Sequence, residues 1–244
     1  MIGIISAMQE EMQALLDKLE NVSTTKKGMR TYYSGILFTK KVVLVFSRWG
    51  KVASAVTTTQ LINDFELEEI IFTGVAGGIV ENLEIGDIVI GNKMFQHDLD
   101  ARPFYEQFEI PILKLPHVNT SKSNTLLEAT KEFLNNYFEF VNEDEAHIFN
   151  IHKPKMIHGD IASGDQFISS LEKIKILNKI LPSATCVEME GAAIAQVCYE
   201  YEVPFSIIRI ISDKANDNAN IDFVRFSDAI ASNYALGILK NYFA

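Results

Sequence analysis

The sequence predicts an α/β fold in which a central mixed, largely parallel β-sheet is flanked by helices. Short apolar runs alternate along the chain with stretches whose apolar residues recur at helical spacing, as in folds whose strands are linked by helices. No Pro-, Gly- or Ser-rich linker divides the 244 residues, of which 48% are hydrophobic and 22% charged. Residues 1–244 are therefore expected to form a single domain with one core.

The first half of the chain contains four buried runs and two helical patterns. One helix is predicted after the first strand, where apolar residues recur at i, i+3, i+4 and i+7, and a second between Gly50 and about Asp64. The segment Gly74–Gly78 is interpreted as the turn that ends the third strand. The apolar positions of the first helix are Met12, Leu15, Leu16 and Leu19, and the predicted strands are Ile2–Ser6, Val42–Ser47, Glu69–Thr73 and Asp87–Gly91.

The second half repeats the alternation after an irregular region. About 101–154 holds four prolines and little strand signal apart from a helical pattern near Asn124–Tyr137, so we expect loops around a helix on the rim of the fold. Beyond it, strands are predicted at Ile157–Ala162, Ala184–Val187 and Phe205–Ile211, and helices near Leu171–Ile180, across Ala193–Tyr201 and along the stripe Phe223, Phe226, Ile230 and Tyr234.

Charge and cysteine content restrict the partners and the compartment. A formal net charge of −10 and no basic stripe argue against nucleic acid or an anionic membrane as a partner. Cys186 and Cys198 lie twelve residues apart in apolar runs, which is typical of buried thiols in a reducing compartment. The apolar N-terminus has no basic segment before it, and no run of 18 apolar residues occurs. We therefore expect a cytoplasmic protein.

Four groups of polar or glycine residues follow predicted strands, where ligands bind in α/β sheets. They are Glu10-Glu11, Gly74–Gly78, Glu188-Met189-Glu190 and Ser212-Asp213. Each also has a structural explanation: acids suit a helix N-terminus, glycines suit a turn, and Asp suits a helix cap. The two glutamates would face the same way in an extended segment, which is costly unless they bind something.

Other chemistries receive little support from the sequence. His97-Asp98-Leu99-Asp100 raises the question of a metal, but no second His or Cys lies at ligand spacing nearby. No GxGxxG or P-loop pattern accompanies the glycine turn, no GxSxG occurs, and neither Cys has a patterned His partner. Neither a metal nor a cofactor is expected.

Seven motifs in order carry a family resemblance. The chain resembles 5′-methylthioadenosine/S-adenosylhomocysteine nucleosidases of the nucleoside phosphorylase superfamily over nearly its whole length, fading between about 101 and 154. The resemblance implies a three-layer nucleoside phosphorylase-like fold. The motifs are Ile2–Glu11 (IGIISAMQEE), Gly50–Ala53 (GKVA), Thr73–Gly78 (TGVAGG), Gly86–Val89 (GDIV), Ser163–Ile168 (SGDQFI), Val187–Gly191 (VEMEG) and Arg209–Asp213 (RIISD).

The resemblance implies hydrolysis of the bond between ribose and adenine. Such a reaction needs a carboxylate near the sugar to activate water and a proton for the departing base. By similarity, Glu11 is the general base, Arg209 orients the water, Glu190 binds the ribose hydroxyls, and Asp213, helped by Ser212, serves adenine N7.

The resemblance also implies the remaining contacts of a small adenine thionucleoside. Met189 packs under the ribose, Phe167 stacks on adenine, Ile168 presents its backbone to the base edge, and Phe223 closes over the site. The other substrate-binding residues implied are Met8, Trp49, Val75, Ala76, Gly77, Glu188 and Phe104.

Departures from the family pattern concern the substrate more than the reaction. Ser6 replaces a common Gly, Val75 a common Ser, and Trp49 a small aliphatic residue of the 5′-substituent pocket. The loop Asp100–Phe104 also differs; in the family it reaches a neighbouring subunit's site, which implies a homodimer.

Alternatives to the nucleosidase remain open at this stage. They are a phosphate-dependent purine nucleoside or methylthioadenosine phosphorylase, a non-catalytic nucleoside-binding module, and 5′-deoxyadenosine or aminodeoxyfutalosine as a further substrate.

Overall fold

A computed structural model describes residues 1–215 and 219–244, and its strands join in one mixed sheet flanked by helices. Among these residues five strand pairings are parallel and five antiparallel. The strands are β1 Ile2–Ser6, β2 Glu20–Lys27, β3 Arg30–Leu37, β4 Lys40–Phe46, β5 Glu69–Gly78, β6 Ile88–Gln96, β7 Val118–Asn119, β8 Met156–Ser163, β9 Ala184–Glu188 and β10 Phe205–Asp213. The predicted α/β class is confirmed.

The helices match most of the predicted patterns. A 3₁₀ turn at Glu10–Met12 precedes the first α-helix, and a π-helical turn at Ser227–Ala231 joins the last two. The α-helices are α1 Gln13–Asp17, α2 Lys51–Asp64, α3 Asn124–Asn135, α4 Glu143–Ile148, α5 Leu171–Ile180, α6 Gly191–Glu200, α7 Ala219–Phe226 and α8 Ser232–Tyr242. No helix in the described parts of the chain has the length and apolar character needed to cross a membrane.

The sheet closes partly on itself, which the sequence did not predict. Strand β5 pairs with β1, β9 and β10, while β10 also pairs with β6, and β6 continues through β8 to β9. Five strands therefore form a ring, and β1, β4, β3 and β2 extend outward from β5. The closure brings the ends of β5, β9 and β10 together around one space.

Alternating residues of the central strands feed two apolar cores. Ile4 and Ile71 pack into one core with α1, α3 and α8, whereas Ile5, Ile70 and Phe72 pack into the other with α2 and α6. Successive side chains of a strand point to opposite faces, so a strand covered on both faces is apolar throughout. This burial explains why these strands could be recognised from sequence.

Two parts of the fold differ from expectation. The hairpin of β2 and β3 was not predicted, and β2 gave no apolar signal because it is an exposed, polar edge strand. Gly74–Gly78, predicted to be a turn, continues β5 and pairs with β10 and β9. A Cβ atom at Gly74 would lie 2.5 Å from Arg209 Nη1 and 2.6 Å from Glu11 Oε1. Glycine is needed there for close approach of side chains rather than for turning.

Candidate active site

The ends of β5, β9 and β10 surround a pocket that is open to solvent. Its lining combines acidic groups with apolar and aromatic side chains. The lining residues are Ala7, Met8, Glu11, Trp49, Val75, Ala76, Gly77, Gln166, Phe167, Ile168, Val187, Glu188, Met189, Glu190, Arg209, Asp213 and Phe223.

Glu11 is held by backbone groups at the floor of the pocket. Its Oε2 accepts hydrogen bonds from the N–H groups of Ala7 at 2.8 Å and Met8 at 3.0 Å, and its Oε1 accepts one from Val75 at 3.0 Å. Burial raises the pKa of Glu11, against the lowering effects of Arg209 and these N–H groups. A buried carboxylate with a raised pKa is a candidate proton acceptor.

Arg209 lies across the floor as a buried, partly unsatisfied cation. Its Nη2 donates to Glu188 Oε2 at 2.6 Å, and its guanidinium carbon stacks 3.8 Å from the centre of the Phe72 ring. Within the described residues, Nη1 and Nε have no hydrogen-bond partner. Because buried donors normally find an acceptor, Arg209 is suited to bind a water or a ligand oxygen in the pocket.

Glu188 and Glu190 have different surroundings. Glu188 accepts from Arg209, Ser163 Oγ and the N–H groups of Glu190 and Gly191, so it serves mainly to anchor this corner. Strand β9 ends at Glu188. Glu188 and Glu190 therefore do not lie in one extended segment, which is the arrangement that the sequence analysis considered.

Glu190 retains capacity to bind a ligand. Its Oε1 accepts from Gly50 N–H at 2.7 Å. Burial raises the pKa of its carboxyl, and so does the neighbouring charge of Glu188. A polar ligand group that donates to Glu190 would compensate for the lost hydration of the carboxylate.

Asp213 lies at the far end of β10, beyond a break in register after Ile211. Its Oδ1 accepts from Ala215 N–H at 2.7 Å, and its Oδ2 accepts from Ser212 Oγ at 2.8 Å. Asp213 is 2% exposed and lines the pocket. A fixed carboxyl at this edge can exchange a proton with a ligand atom.

Three aromatic rings form the mouth of the pocket. The Phe223 ring lies between two others, 5.9 Å from the Trp49 ring and 5.7 Å from the Phe167 ring, both in edge-to-face geometry. Trp49 is 55% exposed and Phe167 37% exposed. We call Trp49, Phe167 and Phe223 the aromatic rim.

An ion pair and two hydrogen bonds connect the start of α2, next to Trp49 and Gly50, with the loops that carry Asp98 and Asp165. Lys51 Nζ lies 2.6 Å from Asp98 Oδ1, Asp165 N–H donates to Asp98 Oδ2 at 2.9 Å, and Lys51 N–H donates to Asp165 Oδ1 at 2.8 Å. Asp98, considered above as a metal ligand, is thus engaged with Lys51. The described residues contain no cluster of three or more His, Cys, Asp and Glu that could hold a metal ion.

The structure brings together all but two of the site residues expected from the sequence. Ser212 does not line the pocket but contacts Asp213 from behind. Phe104 is 87% exposed and does not line the pocket. Sequence reasoning missed Ala7, Gln166 and Val187 as lining residues. All three lie inside recognised motifs, next to Met8, Phe167 and Glu188. This adjacency is the signal that could have identified them as lining residues.

Comparison with known proteins identifies the family to which this architecture belongs. The chain matches the Phosphorylase superfamily over residues 1–244. It is 38% identical over 232 residues to the 5′-methylthioadenosine/S-adenosylhomocysteine nucleosidase of Staphylococcus aureus, covering 95% of this chain and 94% of that protein.

Solved structures give the same result. The nucleosidase of the same name from Neisseria meningitidis, in complex with methylthio-immucillin-A, has a TM-score of 0.83 and 34% identity, covering 99% of this chain and 97% of that one. Futalosine hydrolase of Helicobacter pylori has a TM-score of 0.83 and 32% identity, covering 99% and 96%. The chain therefore belongs to the 5′-methylthioadenosine/S-adenosylhomocysteine nucleosidase family of the phosphorylase superfamily.

Proposed function

We propose that this protein hydrolyses the N-glycosidic bond of 5′-methylthioadenosine and S-adenosylhomocysteine, releasing adenine and the free thioribose. The observation that carries the proposal is that two buried acidic residues, Glu11 and Asp213, line the same pocket as Arg209. The names of the relatives support the same reaction. Binding alone would not require two separate acidic groups for proton transfer, so a non-catalytic module is disfavoured.

In the proposed reaction, water attacks the anomeric carbon while the bond to adenine breaks. Glu11 takes the proton from the water, and the unpaired Nη1 of Arg209 holds the water oxygen. Positive charge that develops on the sugar is stabilised by the surrounding carboxylates. Glu190 binds the ribose hydroxyls, which donate to its carboxylate, and Met189 packs under the ring.

The leaving base requires a proton because negative charge develops on it as the bond breaks. Asp213 supplies that proton to adenine N7, with Ser212 Oγ fixing the carboxyl at 2.8 Å. Phe167 stacks on the purine, and Ile168 offers backbone groups to its edge. Met8, Val75, Ala76 and Gly77 complete the walls around the substrate.

The pocket favours water over phosphate as the nucleophile. Among the described residues, four that bear a carboxyl group line the pocket against one cation, and that cation is already paired with Glu188. A phosphate dianion needs fixed cationic or bidentate donors. Arg48, the cation next to Trp49, does not line the pocket; it is exposed and donates to Met29 O at 2.8 Å.

The reaction class is tested by following adenine release in phosphate-free buffer and identifying the sugar product. We expect free methylthioribose at a rate that added phosphate does not change. The rival phosphorylase predicts strict dependence on phosphate and a sugar 1-phosphate, and that result would overturn the role given to Glu11. S-adenosylhomocysteine, 5′-deoxyadenosine and aminodeoxyfutalosine in the same assay define the substrate range, the last because a futalosine hydrolase shares the fold.

We also propose a cytoplasmic homodimer in which Phe104 of one subunit closes the partner's site. Phe104 is 87% exposed, and in the family that the chain resembles the loop Asp100–Phe104 reaches a neighbouring subunit's site. Neither nucleic acid nor a membrane is proposed as a partner, because the net charge is −10 and would repel polyanions.

A further inference from the structure

The two ends of the pocket are formed by segments that lie far apart in the sequence. At the end proposed for the sugar, the N–H group of Gly50 donates to Glu190 Oε1 at 2.7 Å. At the end proposed for the base, Phe167 and Ile168 lie in the loop between β8 and α5. The separation of Gly50 from this loop must be fixed if one nucleoside is to contact both ends.

Lys51, Asp98 and Asp165 connect these two segments through three contacts. The N–H group of Lys51, which follows Gly50, donates to Asp165 Oδ1 at 2.8 Å. Lys51 Nζ lies 2.6 Å from Asp98 Oδ1, and Asp165 N–H donates to Asp98 Oδ2 at 2.9 Å. We call these three residues the loop bracket. None of the three is among the described residues that line the pocket, so the bracket acts on a ligand only through the segments that it joins.

The charged pair of the loop bracket is sheltered from solvent. The side chains of Lys51 and Asp98 are each 18% exposed. In the ion pair of Lys27 with Asp64, the last residue of α2, the side chains are 48% and 24% exposed and the charged atoms are 3.6 Å apart. Although burial opposes it, the hydrogen bonds from Lys51 and Asp165 hold the pKa of the Asp98 carboxyl below its usual value. Exposed pairs contribute little, whereas separating a sheltered pair leaves a charge without its counterion.

The backbone before α2 adopts conformations that need support from outside. Arg48 has a φ of 71° and Gly50 a φ of 91°, in the left-handed region that is unfavourable for residues other than glycine. A Cβ atom at Gly50 would lie 2.9 Å from Asp165 Oδ1, so glycine permits the close approach of the loop bracket. Such conformations persist where surrounding contacts determine them, and the loop bracket supplies contacts of this kind.

We propose, on the basis of the proposed function, that Lys51 and Asp98 are positioning residues that hold the sugar end and the base end of the pocket at a fixed separation. Neither side chain touches the substrate. They act through Gly50 on Glu190, and through Asp165 on the loop that binds the base. Breaking their contact should weaken binding at both ends, because a ligand must then order both segments when it binds.

The test measures binding by calorimetry, with adenine as the probe of the base end and 5′-methylthiotubercidin as the probe of both ends. Carbon replaces N7 of the purine in the second compound, so protonation at N7 cannot promote its cleavage. We expect Lys51→Met to raise the Kd of adenine about fivefold and that of the nucleoside about 25-fold, because the nucleoside loses a similar amount at each end. Lys27→Met, which removes the more exposed ion pair at the other end of α2, should leave both Kd values at the wild-type level.

Two results for a folded Lys51→Met protein would overturn the proposal. One is a wild-type Kd for adenine, and the other is an equal loss for adenine and the nucleoside, because each confines the effect to one end. Asp98→Asn, which removes the carboxylate, should reproduce both losses. In the double variant the losses should be smaller than the product of the single losses, since both changes break the same contact. Losses that multiply fully would contradict a shared role.

Failure of the proposed function would be recognised separately. If the wild type releases no adenine from 5′-methylthioadenosine, the proposed reaction fails, and the two binding measurements still decide on Lys51 and Asp98. If the reaction proceeds but both variants bind the two probes as the wild type does, only the positioning role is overturned. A wild type that binds neither probe would overturn both.

Discussion

The floor and the mouth of the pocket are built in opposite ways. At the floor, Glu11 and Asp213 are 2% exposed and accept hydrogen bonds from the N–H groups of Ala7, Met8, Val75 and Ala215. At the mouth, Trp49 and Phe167 lie on loops, are 55% and 37% exposed, and each packs edge-to-face on the Phe223 ring. The floor is preorganised by backbone dipoles, whereas the mouth is formed by contacts between aromatic side chains.

This difference indicates that the floor of the pocket determines the rate of the reaction, whereas the mouth determines which substrate is selected. Preorganised dipoles and charges in a site that excludes water are the largest contributors to catalysis, and they require the rigid strand ends found at the floor. Differences between related substrates depend on apolar contacts of ~1–3 kcal/mol, which exposed rings can supply. Substitutions at the floor should therefore affect kcat most, and substitutions at the mouth should affect selection among substrates.

The largest effect is expected for Asp213→Asn. The amide keeps the shape of the carboxyl but carries no proton that it can transfer to adenine N7, so kcat should fall about 10²–10⁴-fold. Circular dichroism should show that the variant is folded, and Ser212→Ala should lose much less activity because it only orients the carboxyl. Near-normal turnover by a folded Asp213→Asn protein would remove the proton-donor assignment.

The next effect is expected for Glu11→Gln, with a change in pH dependence. The base works only as a carboxylate, and burial raises the pKa of Glu11 above its ordinary value of 4.5. Activity should thus be present above the raised pKa and be lost as the pH falls through it. The variant should lose about 10²–10³ in kcat, and its acidic limb in kcat/KM should shift.

The shape of that limb also depends on a second group. Burial and Glu188 raise the pKa of Glu190 as well, so the wild-type limb belongs to both carboxyls together. Glu10→Gln, at an exposed acid adjacent in sequence, serves as the control and should keep the wild-type rate and profile. A Glu11→Gln profile identical to wild type would show that another group activates the water.

The smallest effect is expected for Phe104, which does not line the pocket of its own chain and reaches the partner's site in the proposed dimer. Phe104→Ala should raise KM about fivefold, or ~1 kcal/mol, with little change in kcat, because the ring would cover the partner's substrate without touching the reacting atoms. Sedimentation would show whether the variant remains dimeric, and Phe138→Ala is the matched control at another exposed ring. A monomeric wild type with full activity would rule out a shared site.

Local patterns predicted much of the molecule. The strand Ile2–Ser6 and the helix Leu171–Ile180 were found at the predicted bounds, and most other strands differ by one to a few residues. These elements were readable because their burial imposes an apolar pattern of period two or 3.6. The edge strand β2 was not readable because exposure removes that pattern.

The sequence by itself determined the types of chemical group and their positions after strands, which are local properties. Only the tertiary structure decided how these groups meet. Gly50 binds Glu190 across 140 residues of chain, and Lys51 pairs with Asp98 across 47. Arg209 donates to Glu188, and its Nη1 lies next to Gly74. Both contacts arise because the closed sheet brings β5, β9 and β10 together. Contacts between such distant residues leave no periodic signal, since they depend on which strands become neighbours.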